Sequence, residues 1–467
     1  MDGNTLSRRH FIVTGLTAAG GLAIGLAHPR LAHALAIKPQ PWGDDALDPK
    51  EFNAWLVIEP DDTVVFRYPR AEMGQGSMTA LTMCMAEELT CDWAKVGTEF
   101  ASAHRNVTEN DVYGDQSSVG SHSVRLGREK AQQVGASARE RLIAAAAQHW
   151  KVEPASCTAE NGAVLHKATG RRLGYGALAA AAAKIALNQE PAIKTPEQFT
   201  FIGKPQMRLD VPLKVNGTAQ YGIDTRLPGM VYAAIAACPV FGGTVGRVDA
   251  GDVKSRRGVI DVVRLPDAVA VVADRFWRAK EALAAVKIDW DTGAAGATDS
   301  AQFAAEYRQA LDQPGATARN DGDAEAAIKG AAKTVEAVYE VPYLAHARME
   351  PRNATAHLTA DRLDLWIGSQ DATRTLKIAA QAAGLMPEQV YVHNCFAGGG
   401  FGGRGGDAEV AQSIAIAKSV GKPVKLVYTR EEDMRQDRYR PQAAIRFKAG
   451  FDAGGKPVGW TIHTADS

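Results

Sequence analysis

A run of seven glycines within nine residues constrains the fold of this chain more than any other feature. The run extends from Gly398 to Gly406 and is interrupted only by Phe401 and Arg404. Glycine accepts positive φ and lets backbone N–H groups approach a ligand without obstruction by a Cβ atom. The pattern predicts a strand over Gln389–Cys395 before the run and a helix from about Asp407 to Val420 after it.

N–H groups at the N-terminus of a helix suit a pyrophosphate or another anion, and Arg404 would add a bidentate contact. We therefore predict an anion-binding turn here, with a flexible surface loop as the alternative. The run is not a Walker loop, because no Gly-Lys-Ser/Thr follows it. It also fits the GxGxxG pattern of NAD-binding proteins poorly. The glycine turns by themselves suggest one alternative function, that of a flavin-type nucleotide-binding oxidoreductase.

A second glycine turn, Glu72-Met73-Gly74-Gln75-Gly76, lies near the start of the chain. The pattern predicts a hairpin over 53–69 before it and a helix after it, with Ser77 as the capping residue. The amide of Gln75 carries both a donor and an acceptor, which suits the edge of a heterocycle. A plain turn is the alternative.

Most of the remaining pattern predicts alternating helices and strands. We predict a long helix over 123–149, whose inner face carries mostly small side chains, and a hairpin of the strands 444–451 and 458–465. Further predicted elements are the strands 267–274, 287–291, 362–368 and 424–428 and the helices 276–286 and 373–385. A polar, proline-containing passage over 188–205 is typical of a domain boundary.

Charge and cysteine content exclude several classes of protein. The chain has 53 Lys and Arg residues against 53 Asp and Glu residues, so nothing favours nucleic acid or an anionic membrane surface. The five cysteines form no CxxC pair, which argues against a zinc or iron–sulfur centre within this chain. Their odd, scattered distribution also argues against a disulfide framework.

The first residues are typical of an export signal. Ser7-Arg8-Arg9 precedes a weak apolar run over 11–27, and small-x-small cleavage sites follow at 32–36. We predict a twin-arginine signal over residues 1–36, which is typical of exported proteins that receive a cofactor before export. The alternative is a chance Arg-Arg pair ahead of an ordinary helix.

Several motifs together resemble one family. They are Glu72–Gly76, Ala86-Glu87-Glu88-Leu89, Asp92-Trp93, Ile202–Pro205, Arg208–Pro212, Tyr221–Asp224, Met349-Glu350-Pro351, Gly398–Arg404 and Thr429–Met434. In combination they resemble the molybdenum-binding large subunits of the xanthine dehydrogenase/aldehyde oxidase superfamily. The likeness is greatest to the isoquinoline 1-oxidoreductase beta-subunit type and its membrane-associated aldehyde dehydrogenase relatives.

The resemblance implies an α+β fold. Molybdopterin-binding segments over 37–200 and 325–467 would flank an inserted α/β hammerhead domain over 201–295. The second segment would be incomplete, because the chain stops soon after a strand and looks truncated. A natural terminus paired into a sheet is the alternative.

The implied cofactor is molybdenum with molybdopterin cytosine dinucleotide. On this resemblance it would be held by residues of the two glycine turns, namely Gly74, Gln75, Gly76, Gly399, Gly400, Phe401, Gly402, Gly403 and Arg404. Ser117, Ser118 and Ser121 are weaker candidates for nucleotide contacts, and an ordinary helix cap explains them equally well. The implied reaction is the oxidative hydroxylation of an aldehyde or an N-heteroaromatic carbon with water.

The resemblance also implies partners and a location. Electrons would leave through a separate two-iron–two-sulfur subunit, with a cytochrome c as a possible further partner. The enzyme would be periplasmic, and a partner would associate it with the inner membrane. No nucleic-acid partner is expected.

Three departures from the family pattern bear on catalysis. The family's general-base glutamate has no match before Ser467 and is expected beyond it, so no catalytic residue is assigned. Leu344 aligns with a glutamine near molybdenum in xanthine dehydrogenases. Gly405 takes the place of their substrate-binding glutamate, which argues against a purine substrate.

Two polar clusters have structural interpretations instead. His346 and Glu350 have a spacing that binds metal on a helix, but Pro342 and Pro351 indicate an extended chain, so we expect a structural role and no metal ligand. The charged cluster 430–433 predicts a solvated turn, with support of the cofactor domain as the alternative.

We keep one further function from a different class. The chain would then be a non-catalytic remnant or a partner-binding module that lacks the general base.

Overall fold

A computed structural model describes residues 51–405 and 408–466 of the chain. The predicted signal over residues 1–36 lies outside the described residues. The described chain divides into two compact units, one formed by 51–233 and 352–427 and the other by 234–351 and 428–466. Helices and sheets alternate in both, and the α+β class is confirmed.

The first unit begins with a four-stranded sheet. Its strands, in spatial order, are Glu51–Asn53, Leu56–Ile58, Val64–Tyr68 and Val96–Phe100. The second and third strands form the predicted hairpin, and the third and fourth are parallel. The helix Ser77–Leu89 connects this parallel pair, so the Glu72–Gly76 turn lies between the end of a strand and the start of a helix.

The long predicted helix is confirmed as His122–Trp150, and it packs closely on Ser77–Leu89. A Cβ atom on Gly135 would lie 2.2 Å from the backbone oxygen of Met85, and one on Gly127 would lie 3.0 Å from Cδ1 of Leu81. Glycine therefore allows the two helices to approach each other at these positions. The first unit also contains the short helices Ala103–Thr108, Tyr175–Ala182 and Val211–Asn216 and a sheet of Cys157–Glu160, Ala163–His166 and Arg171–Gly174.

The polar passage over 188–205 is fixed to the first unit by two buried glutamates of the helix Ser77–Leu89. The Glu87 carboxylate accepts hydrogen bonds from Lys194 Nζ (2.7 Å) and from the backbone N–H groups of residues 200–202. Glu88 accepts from the N–H of Lys194 at 2.8 Å. Burial disfavours the Glu87 carboxylate, but these donors outweigh it and lower its pKa to about 2.

A second sheet of the first unit positions the glycine run. Its first strand consists of residues 231–233, which begin the strand Val231–Ala237. Next to it, in spatial order, lie Val424–Val427, Asn353–Leu358, Leu363–Ile367 and Val390–Asn394. The helix Ala372–Ala383 lies between the last two strands, as predicted, and these two strands are parallel. The glycine run follows the carboxyl end of Val390–Asn394 and precedes the helix Ala408–Val420.

The second unit contains three groups of paired strands. Ala268–Ala273, a predicted strand that is buried at every residue, pairs with Val259–Arg264. Lys287–Asp291 pairs with Thr244–Asp249. Lys333–Val341, Ala443–Phe451 and Pro457–Asp466 form a three-stranded antiparallel sheet that contains the predicted C-terminal hairpin. The helices of this unit are Phe276–Leu283, Ser300–Ala310, Ala324–Lys329 and Arg430–Arg435.

Two general findings concern membranes and thiols. No helix within residues 51–405 and 408–466 is long and apolar enough to cross a bilayer. All five cysteines are buried free thiols.

The polar clusters of the second unit differ partly from expectation. His346 lies outside any helix, and its Nδ1 is 2.9 Å from Oδ2 of Asp437. The charged cluster 430–433 is not a solvated turn, because Glu432 and Asp433 are buried on one side of the helix Arg430–Arg435. The guanidinium of Arg348, itself fully buried, pairs with Asp433 at 3.0 Å and compensates the buried charge.

Candidate functional site

The Glu72–Gly76 turn is organised by the carboxylate of Glu72, which is 1% exposed. Its Oε1 accepts hydrogen bonds from the backbone N–H groups of Gly74 (2.8 Å) and Gly76 (3.1 Å). Its Oε2 accepts a third from Met78 at 3.1 Å, in the first turn of the helix. A carboxylate at a helix N-terminus satisfies N–H groups that have no partner within the helix and complements the helix dipole.

The predicted role of Ser77 as the N-cap is therefore wrong. The helix begins at Ser77 itself, and Gly76 precedes it in the left-handed conformation, with φ at 82°. The hydroxyl of Ser77 lies 2.6 Å from the hydroxyl of Tyr68 instead. Glu72 supplies the capping oxygens from four residues upstream of the N-cap position, which a local capping pattern does not reveal.

The side chain of Gln75 is exposed, but its amide is engaged within its own turn. Oε1 accepts a hydrogen bond from the N–H of Met73, and Nε2 donates to the backbone oxygen of Ala71 and to Oγ of Ser77, each at 2.7 Å. The amide thus stabilises the turn, and its predicted contact with a heterocycle stays a prediction.

A cluster of charged side chains from 208–214 supports the turn from one side. Arg208 donates to the backbone oxygen of Gly74 (2.8 Å), to Glu72 (3.2 Å) and, through two nitrogens, to Asp210. Lys214 also donates to Asp210. Burial would raise the pKa of Asp210, but the hydrogen bonds from Arg208 and Lys214 outweigh it and hold this pKa below its ordinary value.

The glycine run is held in shape by Gln370, which sequence reasoning missed. Its Oε1 accepts hydrogen bonds from the N–H groups of Gly402 (3.2 Å) and Arg404 (3.1 Å), and its own N–H donates to the oxygen of Arg404. Gln370 follows shortly after the strand Leu363–Ile367. A polar residue near the carboxyl end of a strand is the feature of the sequence that could have identified it as a site residue. A glutamine therefore lies against the run in this chain. It is not at Leu344, the position that aligns with the glutamine near molybdenum in xanthine dehydrogenases.

Backbone conformation in the run requires glycine at two positions and strains a third residue. Gly399 and Gly402 have φ values of 87° and 105°, and Phe401 has φ of 58° with a side chain that is 72% exposed. Gly403 donates to the oxygen of Gly400 at 2.9 Å, which closes a tight turn around Phe401.

The two glycine turns lie side by side. The N–H of Ala397 donates to the backbone oxygen of Glu72 at 3.2 Å. A Cβ atom on Gly400 would lie 2.1 Å from the sulfur of Met73 and 2.9 Å from Oε1 of Gln370. The structure thus brings the two predicted turns into contact, although Met73 and Gly400 are 327 positions apart along the chain.

The serines 117, 118 and 121 have different surroundings. Oγ of Ser118 accepts a hydrogen bond from the N–H of Ala71 at 2.8 Å, and its backbone exchanges hydrogen bonds with Gln370. Ser118 therefore connects the two turns. Ser121 precedes the helix His122–Trp150 but makes no side-chain cap, and Ser117 bonds to Asp115.

The guanidinium of Arg404 is directed into the run itself. The residue is 2% exposed, and its Nε donates to the backbone oxygen of Gly399. Its predicted contact with an anion stays a prediction, and its observed contact closes the loop.

These residues fit a phosphate-bearing cofactor at the run. Within the described part of the chain, the N–H groups of Gly400 and Phe401 have no hydrogen-bond acceptor. Both belong to a glycine turn at the carboxyl end of a strand, where open α/β sheets bind ligands. Consecutive N–H groups of this kind suit a phosphate or the polar edge of a pterin.

The chain's own side chains offer no alternative metal centre among residues 51–405 and 408–466, because no group of three His, Cys, Asp or Glu side chains is placed to hold an ion. A cavity of about 400 Å³ does lie between residues 106–116 and 371–377 of the first unit. It is lined by side chains of both signs, including Asp115, Arg374 and Lys377, and by none of the residues of the two turns.

Comparisons with known proteins identify the family of the chain. Two models of a molybdopterin cofactor-binding domain match the chain, over residues 21–222 and 309–466, and together they cover more than half of it. The chain is 29% identical to the beta chain of isoquinoline 1-oxidoreductase from Brevundimonas diminuta, over 95% of this chain and 62% of that relative.

It is also 30% identical to a membrane-bound aldehyde dehydrogenase (pyrroloquinoline-quinone) of Gluconacetobacter polyoxogenes, over 96% of this chain and 59% of the relative. With a nicotinate dehydrogenase component of Pseudomonas putida the identity is 24%, over 88% and 35% of the two chains. The chain thus spans roughly three fifths of the length of the first two relatives.

Proposed function

Since this chain belongs to the molybdopterin-binding subunits of the xanthine dehydrogenase/aldehyde oxidase superfamily, we propose that it acts in a molybdenum hydroxylase. The reaction is the oxidative hydroxylation of an aldehyde or an N-heteroaromatic carbon, with oxygen from water. The observation that carries the proposal is the contact between the two glycine turns, where the N–H groups of Gly400 and Phe401 have no acceptor among residues 51–405 and 408–466.

The cofactor of this proposal is molybdopterin cytosine dinucleotide, which supplies the metal centre at which the substrate carbon is oxidised. The chain's own residues bind and orient it. Gly400 and Phe401 donate backbone hydrogen bonds to it, and Gln370 and Arg404 fix the loop that presents those donors. The absence of a side chain at Gly74, where a Cβ atom would meet nothing within 4 Å, leaves room for its approach.

The proposal includes partners and a location. A two-iron–two-sulfur subunit receives the electrons, because no cysteine cluster of this chain is suited to a redox centre. A cytochrome c carries them further. The twin-arginine segment exports the loaded protein to the periplasm, where a partner associates it with the inner membrane.

Metal and nucleotide analysis of the purified protein tests the cofactor. The full chain is produced in a host that makes the molybdenum cofactor, and molybdenum and the CMP released by acid hydrolysis are measured. We expect both in equal amounts. Flavin without molybdenum would contradict the proposal, and molybdenum without CMP would contradict the dinucleotide form. Assays of the full-length protein with both substrate types and an artificial electron acceptor then identify the substrate class.

Cell fractionation tests the location. The double variant Arg8→Lys/Arg9→Lys should accumulate in the cytoplasm, while Arg30→Lys, outside the pair, should be exported like the wild-type protein. Export of the double variant at the wild-type level would contradict the twin-arginine signal.

A further inference from the structure

We propose that Glu72 is a positioning residue for the cofactor, because its buried carboxylate fixes the Met73–Gly76 turn against the glycine run. This inference rests on the proposed function. Glu72 itself has no path to a ligand, since it is 1% exposed and both its oxygens are engaged by the protein. It acts through the turn that it holds.

The carboxylate determines the path of the turn. One side chain accepts the N–H groups of Gly74, Gly76 and Met78, and these three bonds fold five residues of backbone around it. A carboxylate offers only acceptors, whereas the NH2 group of an amide of the same shape would face either the N–H of Met78 or those of Gly74 and Gly76. The turn therefore depends on the charge of Glu72 as well as on its shape.

The turn that Glu72 holds is the one that contacts the glycine run. Ala397, at the start of the run, donates to the backbone oxygen of Glu72, and Met73 occupies the space beside Gly400. A turn that opens would therefore shift Met73 relative to the N–H groups of Gly400 and Phe401. Such a shift would alter the surroundings of the N–H groups that we propose bind the cofactor, and it would leave the rest of the core nearly unchanged.

The charged cluster of 208–214 makes this arrangement stable. Two buried carboxylates, Glu72 and Asp210, are compensated by Arg208 and Lys214, whose Nζ lies 2.5 Å from Asp210 and 3.9 Å from Glu72. The same Nζ lies 5.2 Å from the ring centroid of Phe396, immediately before Ala397. The cluster thus contacts both sides of the junction between the turns.

Glu87 provides a matched control for Glu72. It is a fully buried carboxylate that also accepts several backbone N–H groups, and it lies in the helix that Glu72 caps. Its partners are in the 194–202 segment, and none is in either glycine turn. Glu87→Gln should therefore destabilise the protein as Glu72→Gln does, but it should leave the two glycine turns in place.

The experiment compares loaded wild-type protein, Glu72→Gln and Glu87→Gln. Each is incubated at the same interval below its own unfolding temperature, and release of molybdenum into the solvent is followed with time. We expect both variants to unfold at lower temperature. Only Glu72→Gln should release molybdenum faster, by about tenfold or more, as the loss of charge-assisted hydrogen bonds predicts. Arg208→Gln, with a side chain that is 34% exposed, serves as a second variant if Glu72→Gln does not fold, and it should accelerate release less.

Each remaining outcome decides between the two proposals. If Glu72→Gln, or Arg208→Gln in its place, releases molybdenum at the wild-type rate, the positioning role is overturned and the proposed function stands. Equal acceleration in Glu87→Gln would show a general structural effect and would also overturn it. Wild-type protein that purifies without molybdenum would overturn the proposed function, and this inference with it.

Discussion

The sulfur of Met73 lies 2.1 Å from the position that a Cβ atom would occupy on Gly400. Gly400 is therefore required by a contact from another part of the chain, and its own φ does not demand glycine. The contact defines the junction of the two turns, since Gln370 lies against the same position. Substitutions at this junction should show which of its contacts are needed for folding and which are needed for cofactor binding.

Gly400→Ala should weaken this junction, because the new methyl group overlaps with Met73 and Gln370. We expect a lower molybdenum content and a lower unfolding temperature. The double variant Met73→Ala/Gly400→Ala should recover part of both, since the flexible methionine side chain is the nearest obstacle. Gly315→Ala is the control, because a Cβ atom there meets nothing within 4 Å. A loaded, fully stable Gly400→Ala protein would show that the turns are farther apart in solution.

Gln370→Ala should loosen the glycine run without unfolding the sheet. It removes the acceptor for Gly402 and Arg404 and the donor to Ser118. Hydrogen exchange measured by mass spectrometry should become faster in a peptide that covers 396–405. Gln133→Ala, which removes only contacts to Glu190 and Pro191, should leave that peptide unchanged. Unchanged exchange in Gln370→Ala would argue against its role in the run.

Alanine substitutions at Gly127 and Gly135 should differ in their effect on stability. Both glycines lie where the helix His122–Trp150 contacts the helix Ser77–Leu89. Gly135→Ala places a methyl group 2.2 Å from the backbone oxygen of Met85, which cannot rotate away, so we expect a loss of about 1–3 kcal/mol in the free energy of unfolding. Gly127→Ala meets only the end of the Leu81 side chain at 3.0 Å and should cost far less. Urea denaturation measures both, and equal stabilities would contradict the close packing.

The ionisation of Glu87 should make stability depend on pH. Its pKa is about 2 in the folded protein, below the ordinary value of 4.5, so the unfolded chain binds a proton first as the pH falls. Its contribution is therefore complete above about pH 4.5 and is lost between pH 4.5 and pH 2.

Glu87→Gln should lower the free energy of unfolding at neutral pH by on the order of 2 kcal/mol and flatten its slope in this acidic range. Glu153→Gln, an exposed control, should change neither value appreciably. An unchanged slope in Glu87→Gln would assign the acid sensitivity to other groups.

Elements whose pattern is local could be predicted from the sequence. The long helix, the C-terminal hairpin and the strand–glycine–helix order around residues 390–420 all follow from periodicity and turn residues that are close together in the chain. The cluster 430–433 was misjudged because its exposure depends on Arg348, which lies more than 80 residues upstream.

The sequence by itself determined that two glycine turns exist, that each lies between a strand and a helix, and which family the motifs resemble. Only the tertiary structure decided that Met73 meets Gly400, that Glu72 caps the first helix, and that Gln370 and Arg208 hold the two turns. The physical reason is that glycine specifies where backbone can bend or approach, whereas the partner it meets is chosen by sheet and helix packing between segments that are distant in the chain.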